Sequence, residues 1–282
     1  MIAIVGGIGA AICWSATTLC GARASRAMGS APVLAWIMLV GLLVAIPAVL
    51  LSGAPPAMSA ATVFWFVAAG IGNVVGLLLE YVAFRYGKVG IVAAIASAEG
   101  AVAATIAVLA GEPVAPLVGL ALALVATGVA LAALTPNLPG TYAPRPRLAA
   151  ACAVGAALLF GITLYALSRI SAELPLAWTI LPARLLGVVA VAAPLAVTRR
   201  LPWPRANAPY IVVAGLTEVF GILLYAAGST QDVAVAAVLA SQFAAIVAVL
   251  GWLLMGERLT RLQVSGVCTV ILGVTWLALL RA

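Results

Sequence analysis

The sequence contains no histidine, a single lysine and a single aspartate, and only 14 basic and seven acidic residues among 282. The absence of histidine removes the commonest general base, the commonest metal ligand and the usual pH-dependent switch of proteins. Because 66% of the residues are apolar, against roughly half in a soluble domain, a soluble enzyme and a disordered chain are both excluded. Composition therefore favours a protein that lies almost entirely within a lipid bilayer.

Cysteine usage and charge distribution exclude further classes of protein. The four cysteines lie inside apolar runs without any CxxC pair, so they are predicted to be packing residues, and neither a metal nor a cofactor is expected. The net charge of +7 is scattered through short gaps between apolar runs, with no basic face, so no nucleic-acid partner is expected. Such loop charge is typical of the residues that orient a membrane protein. The cysteines are Cys13, Cys20, Cys152 and Cys268.

Ten apolar runs are each long enough to cross a bilayer as a helix. They are too long and too evenly apolar for the alternating strands of a membrane barrel. The first run lacks a preceding basic segment and a clear cleavage site, so it is predicted to be a retained span rather than a signal peptide. The predicted spans are 2–21, 31–51, 60–82, 89–110, 114–134, 148–168, 175–197, 208–227, 233–255 and 262–280.

The spans divide five and five around a proline-rich linker at 135–147, which predicts a first unit at 1–134 and a second at 148–282. A shift of 145 or 146 positions superposes the two units. Because each unit has an odd number of spans, the second must enter the membrane in the opposite sense. The predicted fold is therefore an all-α membrane protein of ten transmembrane helices, arranged as two inverted five-helix repeats around a central cavity. Superposed pairs include Gly76 with Gly221, Gly41 with Gly187, Trp14 with Phe160 and Thr17 with Thr163.

Polar residues inside the spans are the candidate site residues, because a polar group in hydrocarbon needs a partner, a cavity or a function. Asn73, Gly76 and Glu80 share one helical face of the third span, and the eighth span repeats that spacing. The two stripes are predicted to face each other across the cavity; interhelical hydrogen bonding with glycine packing is the alternative. The residues of the second stripe are Glu218, Gly221 and Tyr225.

Other candidate cavity residues lie on four further spans and beside the first stripe. An aromatic side chain and a hydroxyl lie three residues apart in the first and sixth spans, an arrangement that suits an amphipathic solute. Ser97 and Glu99 are two residues apart, so both cannot fully face one cavity, and either could. Arg184 is predicted to form a structural ion pair rather than a substrate contact. The additional candidates are Trp14, Thr17, Tyr81, Ser97, Glu99, Phe160, Thr163, Tyr165 and Gln242.

A family resemblance of the chain is carried by the doubled five-span unit, by the opening Gly9-Ala-Ala-Ile-Cys-Trp14 and by the closing segments Leu109-Ala-Gly-Glu112 and Leu254-Met-Gly-Glu-Arg-Leu259. In these features the chain resembles the EamA family of the drug/metabolite transporter (DMT) superfamily. Arg184 fits the arginine often found in the repeat's second helix, whereas the first repeat has Met38 there. The resemblance implies a basket of helices 1, 3, 4, 6, 8 and 9 around the cavity. Within the family, the chain most resembles bacterial YddG-type exporters of aromatic and other amino acids.

The resemblance implies a secondary transporter, not an enzyme, that exports small amphipathic metabolites by alternating access. Amino acids, aromatic and other neutral ones, are the expected substrates, and Glu80 and Glu218 are candidates to bind the substrate ammonium or a coupling proton. An exporter of drugs or other metabolites, a channel and a membrane-embedded enzyme are the alternatives. The expected partners are a small-molecule substrate and the lipid bilayer, with the chain acting as a monomer in the bacterial inner membrane.

The orientation of the chain can be tested directly. Loops 1, 3, 5, 7 and 9 hold 11 of the 14 basic residues, so the positive-inside rule predicts that these loops are cytoplasmic and both termini external. A phosphatase fused to the C-terminus, which is active only outside the cytoplasm, should therefore be active in cells. If the phosphatase fusion is inactive and a fluorescent protein fused to the same terminus is fluorescent, the C-terminus is cytoplasmic and the predicted orientation is wrong.

Overall fold

The structure is a computed structural model. It describes residues 1–53, 58–111, 117–134, 143–171, 173–229, 239–240, 242–256 and 258–279. These residues form helices and short connections, without any β-strand among them. The α-helices are α1 Ile2–Met28, α2 Ser30–Leu51, α3 Ala60–Tyr86, α4 Val89–Ala96, α5 Glu99–Leu109, α6 Leu117–Leu134, α7 Pro146–Ser171, α8 Leu181–Gly187, α9 Ala193–Val197, α10 Ala208–Ser229, α11 Phe243–Met255 and α12 Arg261–Leu279.

Helix α8 belongs to a longer helical stretch of mixed geometry. A 3₁₀ turn at Leu176–Ile180 leads into α8, and a π-helical turn at Val188–Ala192 connects α8 to α9. Together they form one apolar stretch, Leu176–Val197. A single π turn places one extra residue in an α-helix, and such turns are often found at functional sites.

Local sequence explains several helix ends. Gly29 separates α1 from α2 with a φ of +96°, a backbone conformation that side chains other than hydrogen disfavour. The side chain of Ser59 accepts the backbone N–H of Thr62 and so caps the start of α3. Gly256 ends α11 in the left-handed conformation at φ +65°, the usual glycine helix terminus.

Six of the helical stretches are long and apolar enough to cross a membrane, and they coincide with the first, second, third, sixth, seventh and eighth predicted spans. The prediction of an all-helical, multi-pass chain is confirmed for this part of the molecule. Shorter helices occupy the other four predicted spans, of which the ninth lies partly outside the described residues. The six stretches are Ile4–Met28, Ser30–Leu51, Ala60–Tyr86, Pro146–Ser171, Leu176–Val197 and Arg205–Gly228.

The fourth predicted span, 89–110, is not one continuous helix, which corrects the sequence prediction. The helix stops after Ala96 and resumes at Glu99. At the break the Ser97 hydroxyl donates to the Ala94 carbonyl at 2.8 Å, and the Ala98 N–H shifts to the Ile95 carbonyl at 3.1 Å. A serine side chain that competes for a backbone carbonyl favours such an interruption. The break places Glu99 in the first turn of α5, where the helix dipole favours a carboxylate.

The most extensive helix packing pairs α3 with α7 and α1 with α10. In each pair, a glycine on one helix leaves room for an aromatic ring of the other. A Cβ atom added at Gly76 of α3 would lie 2.6 Å from Cε1 of Phe160 on α7, and one added at Gly221 of α10 would lie 2.5 Å from Nε1 of Trp14 on α1. Helices α6 and α12 also pack closely. Close approach through small residues is the usual way in which helices associate in lipid, where the hydrophobic effect gives no drive.

Large apolar side chains cover the outward faces of the helices. Phe64 of α3 is 61% exposed and Leu43 of α2 is 74% exposed. A surface of this kind is unfavourable in water and suits the hydrocarbon of a bilayer. Together with the six long spans, it supports a membrane location for the chain.

The packing of α6 against α12 gives a stability prediction. A Cβ atom added at Gly128 would lie 2.6 Å from the Val270 backbone nitrogen and 2.9 Å from the Gly266 carbonyl oxygen. Because backbone cannot rotate aside, Gly128→Ala should destabilise the protein by about 1–3 kcal/mol. A lower melting temperature of the detergent-purified variant, at a fixed scan rate, would show this.

Gly155→Ala is the matched control for that substitution. The atom nearest to its added Cβ is Leu79 Cδ1 at 3.0 Å, the end of a side chain that can turn away. Its melting temperature should stay close to that of the parent protein. Equal melting temperatures for both variants would mean that the α6–α12 contact is looser than described.

Candidate substrate-binding cavity

A cavity of about 70 Å³ lies among α1, α3, α5, α7, α10 and α11. This is room for several water molecules, and smaller than the pockets of 300–1,000 Å³ that typically hold drug-sized ligands. The helices that line it correspond to predicted spans 1, 3, 4, 6, 8 and 9. The lining residues are Trp14, Thr17, Thr18, Asn73, Leu77, Glu80, Glu99, Phe160, Thr163, Leu164, Leu167, Glu218, Ile222 and Phe243.

A buried ion pair stands at one wall of the cavity. Arg184 of α8 is fully buried, and its Nη2 lies 3.5 Å from Oε1 of Glu218 on α10. The other terminal nitrogen, Nη1, donates to the sulfur of Met38 on α2 at 3.3 Å. Gly41 and Gly187 flank the two side chains and leave them room. Arg184 therefore acts as the structural cation that the sequence predicts, and it does not line the cavity.

Glu218 is shared between this arginine and an asparagine. The Asn73 amide nitrogen donates to the same Glu218 Oε1 at 3.3 Å, so the two predicted stripes meet at their deepest polar residues. Asn73 is 7% exposed and Glu218 is 5% exposed. The amide oxygen of Asn73 has no hydrogen-bond partner among the described residues. A buried amide oxygen without a donor is unusual, because leaving it unpaired costs about 1–3 kcal/mol.

Two further carboxylates line the cavity without a partner. Glu80 of α3 is 5% exposed, and Glu99 of α5 is partly buried. In the described part of the chain, neither side chain makes a hydrogen bond or an ion pair. Unpaired carboxylates in a membrane interior are expensive, so they mark positions where a ligand, water or a proton must complete them.

Two of the three hydroxyl groups that line the cavity, those of Thr17 and Thr163, are already bonded. Thr17 Oγ1 lies 2.8 Å from Thr217 Oγ1, and Thr163 donates to the Leu159 carbonyl one turn earlier at 3.0 Å. These hydroxyls offer a solute mainly their free lone pairs. They are weaker recognition groups than the carboxylates.

Aromatic rings close one side of the cavity. The Trp14 indole lies 6.3 Å from the Phe243 ring in an edge-to-face arrangement and 5.8 Å from the Tyr225 ring. Phe160 lines the cavity from α7. The lining therefore combines aromatic and apolar side chains with the carboxylates, as an amphipathic solute requires.

The structure brings together more than half of the sequence-predicted site residues. Both acids of the stripes, the third acid Glu99 and the aromatic and hydroxyl residues of the first and sixth spans line one cavity. Glu99, and not Ser97, faces it, because the Ser97 hydroxyl is turned back to its own helix. The predicted residues that line the cavity are Trp14, Thr17, Asn73, Glu80, Glu99, Phe160, Thr163 and Glu218.

The remaining predicted residues lie outside the lining. Gly76 and Gly221 lie behind the Phe160 and Trp14 rings. The Tyr225 ring packs against Trp14, with the ring centroids 5.8 Å apart, and is not part of the lining. The aromatic rings that fill the space above both glycines are thus the reason why the stripes line the cavity only in part.

Four other candidates are engaged elsewhere. The Tyr81 ring is fully buried against Gly21, and the Tyr165 ring packs on Trp65 with centroids 5.3 Å apart. Gln242 donates to Thr275 of α12 at 2.9 Å. Ser97, as noted, bonds to its own helix.

Sequence reasoning missed the apolar half of the lining. Leu77 is four residues after Asn73, Ile222 is four after Glu218, and Leu164 is four after Phe160, so each lies one turn from a predicted residue. Helical spacing alone could have found them. The other residues outside the predicted set are Thr18, Leu167 and Phe243.

No group of three or more histidine, cysteine, aspartate or glutamate side chains is placed to hold a metal ion within the described residues. The cysteines that were predicted to be packing residues are all free thiols.

A model of the EamA-like transporter family matches residues 1–134 and 147–279. The chain belongs to this family. The family consists of membrane transporters, so the chain is a multi-pass transporter whose partners are a small-molecule substrate and membrane lipid.

A solved structure, described only as the crystal structure of a protein, has the same fold, with a TM-score of 0.67 over 99% of this chain and 98% of that one. The two sequences are 18% identical, so the likeness concerns the fold alone. A comparison with curated proteins finds no significant relative.

The buried ion pair predicts a strong effect of single substitutions. Glu218→Gln leaves the fully buried Arg184 without a counter-charge, which should destabilise the protein by about 3–5 kcal/mol. The double variant Arg184→Met, Glu218→Gln removes both charges and should recover most of that loss. Melting temperatures of the purified proteins measure both effects.

Arg169→Met is the control, because Arg169 is an exposed arginine at the end of α7. It should leave the melting temperature unchanged. If Glu218→Gln were equally harmless, the Arg184–Glu218 contact would contribute nothing to the fold.

Proposed function

We propose that the protein is a secondary transporter that exports small amphipathic metabolites bearing an ammonium group, by alternating access. The observation that carries this proposal is the cavity in which two carboxylates, Glu80 and Glu99, have no partner among the described residues, and which aromatic and aliphatic side chains also line. A carboxylate binds an ammonium group through charge-assisted hydrogen bonds. Amino acids are the class that the YddG-type resemblance favours.

The architecture that we propose for it is ten transmembrane helices in two inverted repeats, with units 1–134 and 148–282 joined by 135–147. The two regions matched by the family model, 1–134 and 147–279, support this division. In a pseudo-two-fold arrangement, equivalent residues near the axis contact each other. Asn73 contacts Glu218, 145 positions later, and Met38 contacts Arg184, 146 positions later.

Contacts farther from that axis occur in pairs that are related by the same sequence offset of 145 or 146 positions. Gly76 packs on Phe160 as Gly221 packs on Trp14. The α3–α7 and α1–α10 packing pairs, the two most extensive, are exchanged by the same operation. These paired contacts support inverted repeats independently of any sequence alignment.

Alternating access would rock one repeat against the other around the shared cavity. The break between α4 and α5 supports such a movement, because a discontinuous helix near a binding site can change its angle without breaking a full turn of hydrogen bonds. A solute larger than about 70 Å³ requires the helices to move apart, and rocking supplies that space. The sequence contains no GxxxxGK[ST] motif, so direct use of ATP is not expected.

The proposed location is the bacterial inner membrane, with both termini external and the chain acting as a monomer. The distribution of basic residues over the loops supports the orientation.

Counterflow in proteoliposomes tests the proposed function. Vesicles preloaded with unlabelled L-phenylalanine or 2-phenylethylamine should take up the same labelled compound faster than empty vesicles, with saturation. Glu80→Gln removes the charge but keeps the shape of the side chain, and it should lower this counterflow by about tenfold or more.

Glu173→Gln is the matched control, since Glu173 lies in the α7–α8 connection and accepts a hydrogen bond from Thr62, which a glutamine oxygen can also accept. It should transport as the parent protein does. Uptake that never responds to preloading would overturn the carrier proposal, and linear, unsaturated flux would favour a channel.

A further inference from the structure

The cavity has an excess of negative charge. Three carboxylates line it, those of Glu80, Glu99 and Glu218, and no basic side chain does so in the part of the chain that the structure describes. The nearby cation, Arg184, is fully buried behind the wall and is already bonded to Glu218 and Met38. Among the described residues, only Glu218 of these three therefore has a counter-charge.

A second feature of the lining also calls for a hydrogen-bond donor. The Asn73 amide oxygen is buried beside the cavity and lacks a donor among the described residues. Its amide nitrogen is held by Glu218, which fixes the orientation of the group. Glu80, on the same face of α3 and two turns away, is more than nine-tenths buried and also unpaired. Unsatisfied acceptors on one helix face are completed by a ligand that donates.

Another part of the lining fits an apolar body. It combines the rings of Trp14, Phe160 and Phe243 with the side chains of leucines and Ile222. The faces of these rings attract cations. A carboxylate on the solute would find no basic side chain in the lining, as far as the structure describes it, and its negative charge would lose its hydration without a cationic partner.

We infer that the preferred substrate is an organic amine that carries a cationic ammonium and an apolar body but no carboxylate. This inference rests on the proposed transport function and narrows it. It also separates the chain from the amino-acid exporters that its sequence resembles, because an amino acid brings a carboxylate for which the described lining offers no cationic partner.

Matched ligands that differ only in that carboxylate test the inference. Equilibrium binding to the purified full-length protein is measured by calorimetry for 2-phenylethylamine against L-phenylalanine, and for 3-methylbutylamine against L-leucine. Each amine should bind about tenfold or more tightly than its amino acid. The anion 3-phenylpropionate, which has the carboxylate and no ammonium, should not bind.

Two isosteric variants locate the binding. Glu80→Gln and Glu99→Gln should each weaken amine binding by about tenfold or more, whereas Glu173→Gln should leave it unchanged. Amino acids that bind as tightly as the amines would overturn the inference. Amine affinities that survive both cavity substitutions, or amines that do not bind at all, would overturn it too.

The binding assay tests the substrate preference and the counterflow assay tests the carrier function, so either proposal can be overturned without the other. If amino acids show counterflow and the amines bind more weakly than their matched amino acids, the carrier proposal stands and the inferred preference for amines without a carboxylate is overturned. If amines bind tightly through Glu80 and Glu99 but no compound shows counterflow, the preference for amines stands and the carrier proposal is overturned.

Discussion

Hydrocarbon offers no partner to a polar group, and this constraint shapes every part of the molecule. In the described part of the chain, the spans satisfy their backbone groups as helices, and Glu80, Glu218 and Arg184 are buried. Arg184 is the clearest case, since it is fully buried and held by Glu218 and Met38. Because those partners lie on α10 and α2, this buried cation ties three helical segments together beside the cavity.

The same constraint explains why glycines and aromatics alternate across the helix contacts. Helices in lipid associate by close packing, so a ring on one helix needs a gap on its neighbour. Gly76 and Gly221 provide these gaps for Phe160 and Trp14. The rings are then fixed in the cavity lining, where they add an apolar surface to the acids.

Much of this was predictable from sequence, because lipid enforces simple rules. Apolar length and loop charge located six of the spans, and the cost of polar groups singled out Glu80, Glu218 and Arg184 before any contact was known. Side-chain direction was less accessible. Nothing in the spacing of the glycines shows that a ring from another helix fills the space above them.

Backbone interruptions were the other part that sequence did not reveal. The run 89–110 is mostly apolar and contains no proline, so its composition favours one unbroken helix. The break follows from a single hydroxyl at Ser97 that takes a backbone carbonyl. It decides that Glu99, rather than Ser97, reaches the cavity, a choice that depends on local hydrogen bonds more than on composition.

The contact between Arg184 and Met38 has a consequence for how such a chain can be built by duplication. Positions that meet their own duplicates across an axis cannot both carry the same charge in a dry core, since two guanidinium groups 3.3 Å apart would repel strongly. Two identical halves can therefore share a neutral residue there, but not an arginine. The arginine can stand in one copy only while the equivalent position of the other copy stays uncharged.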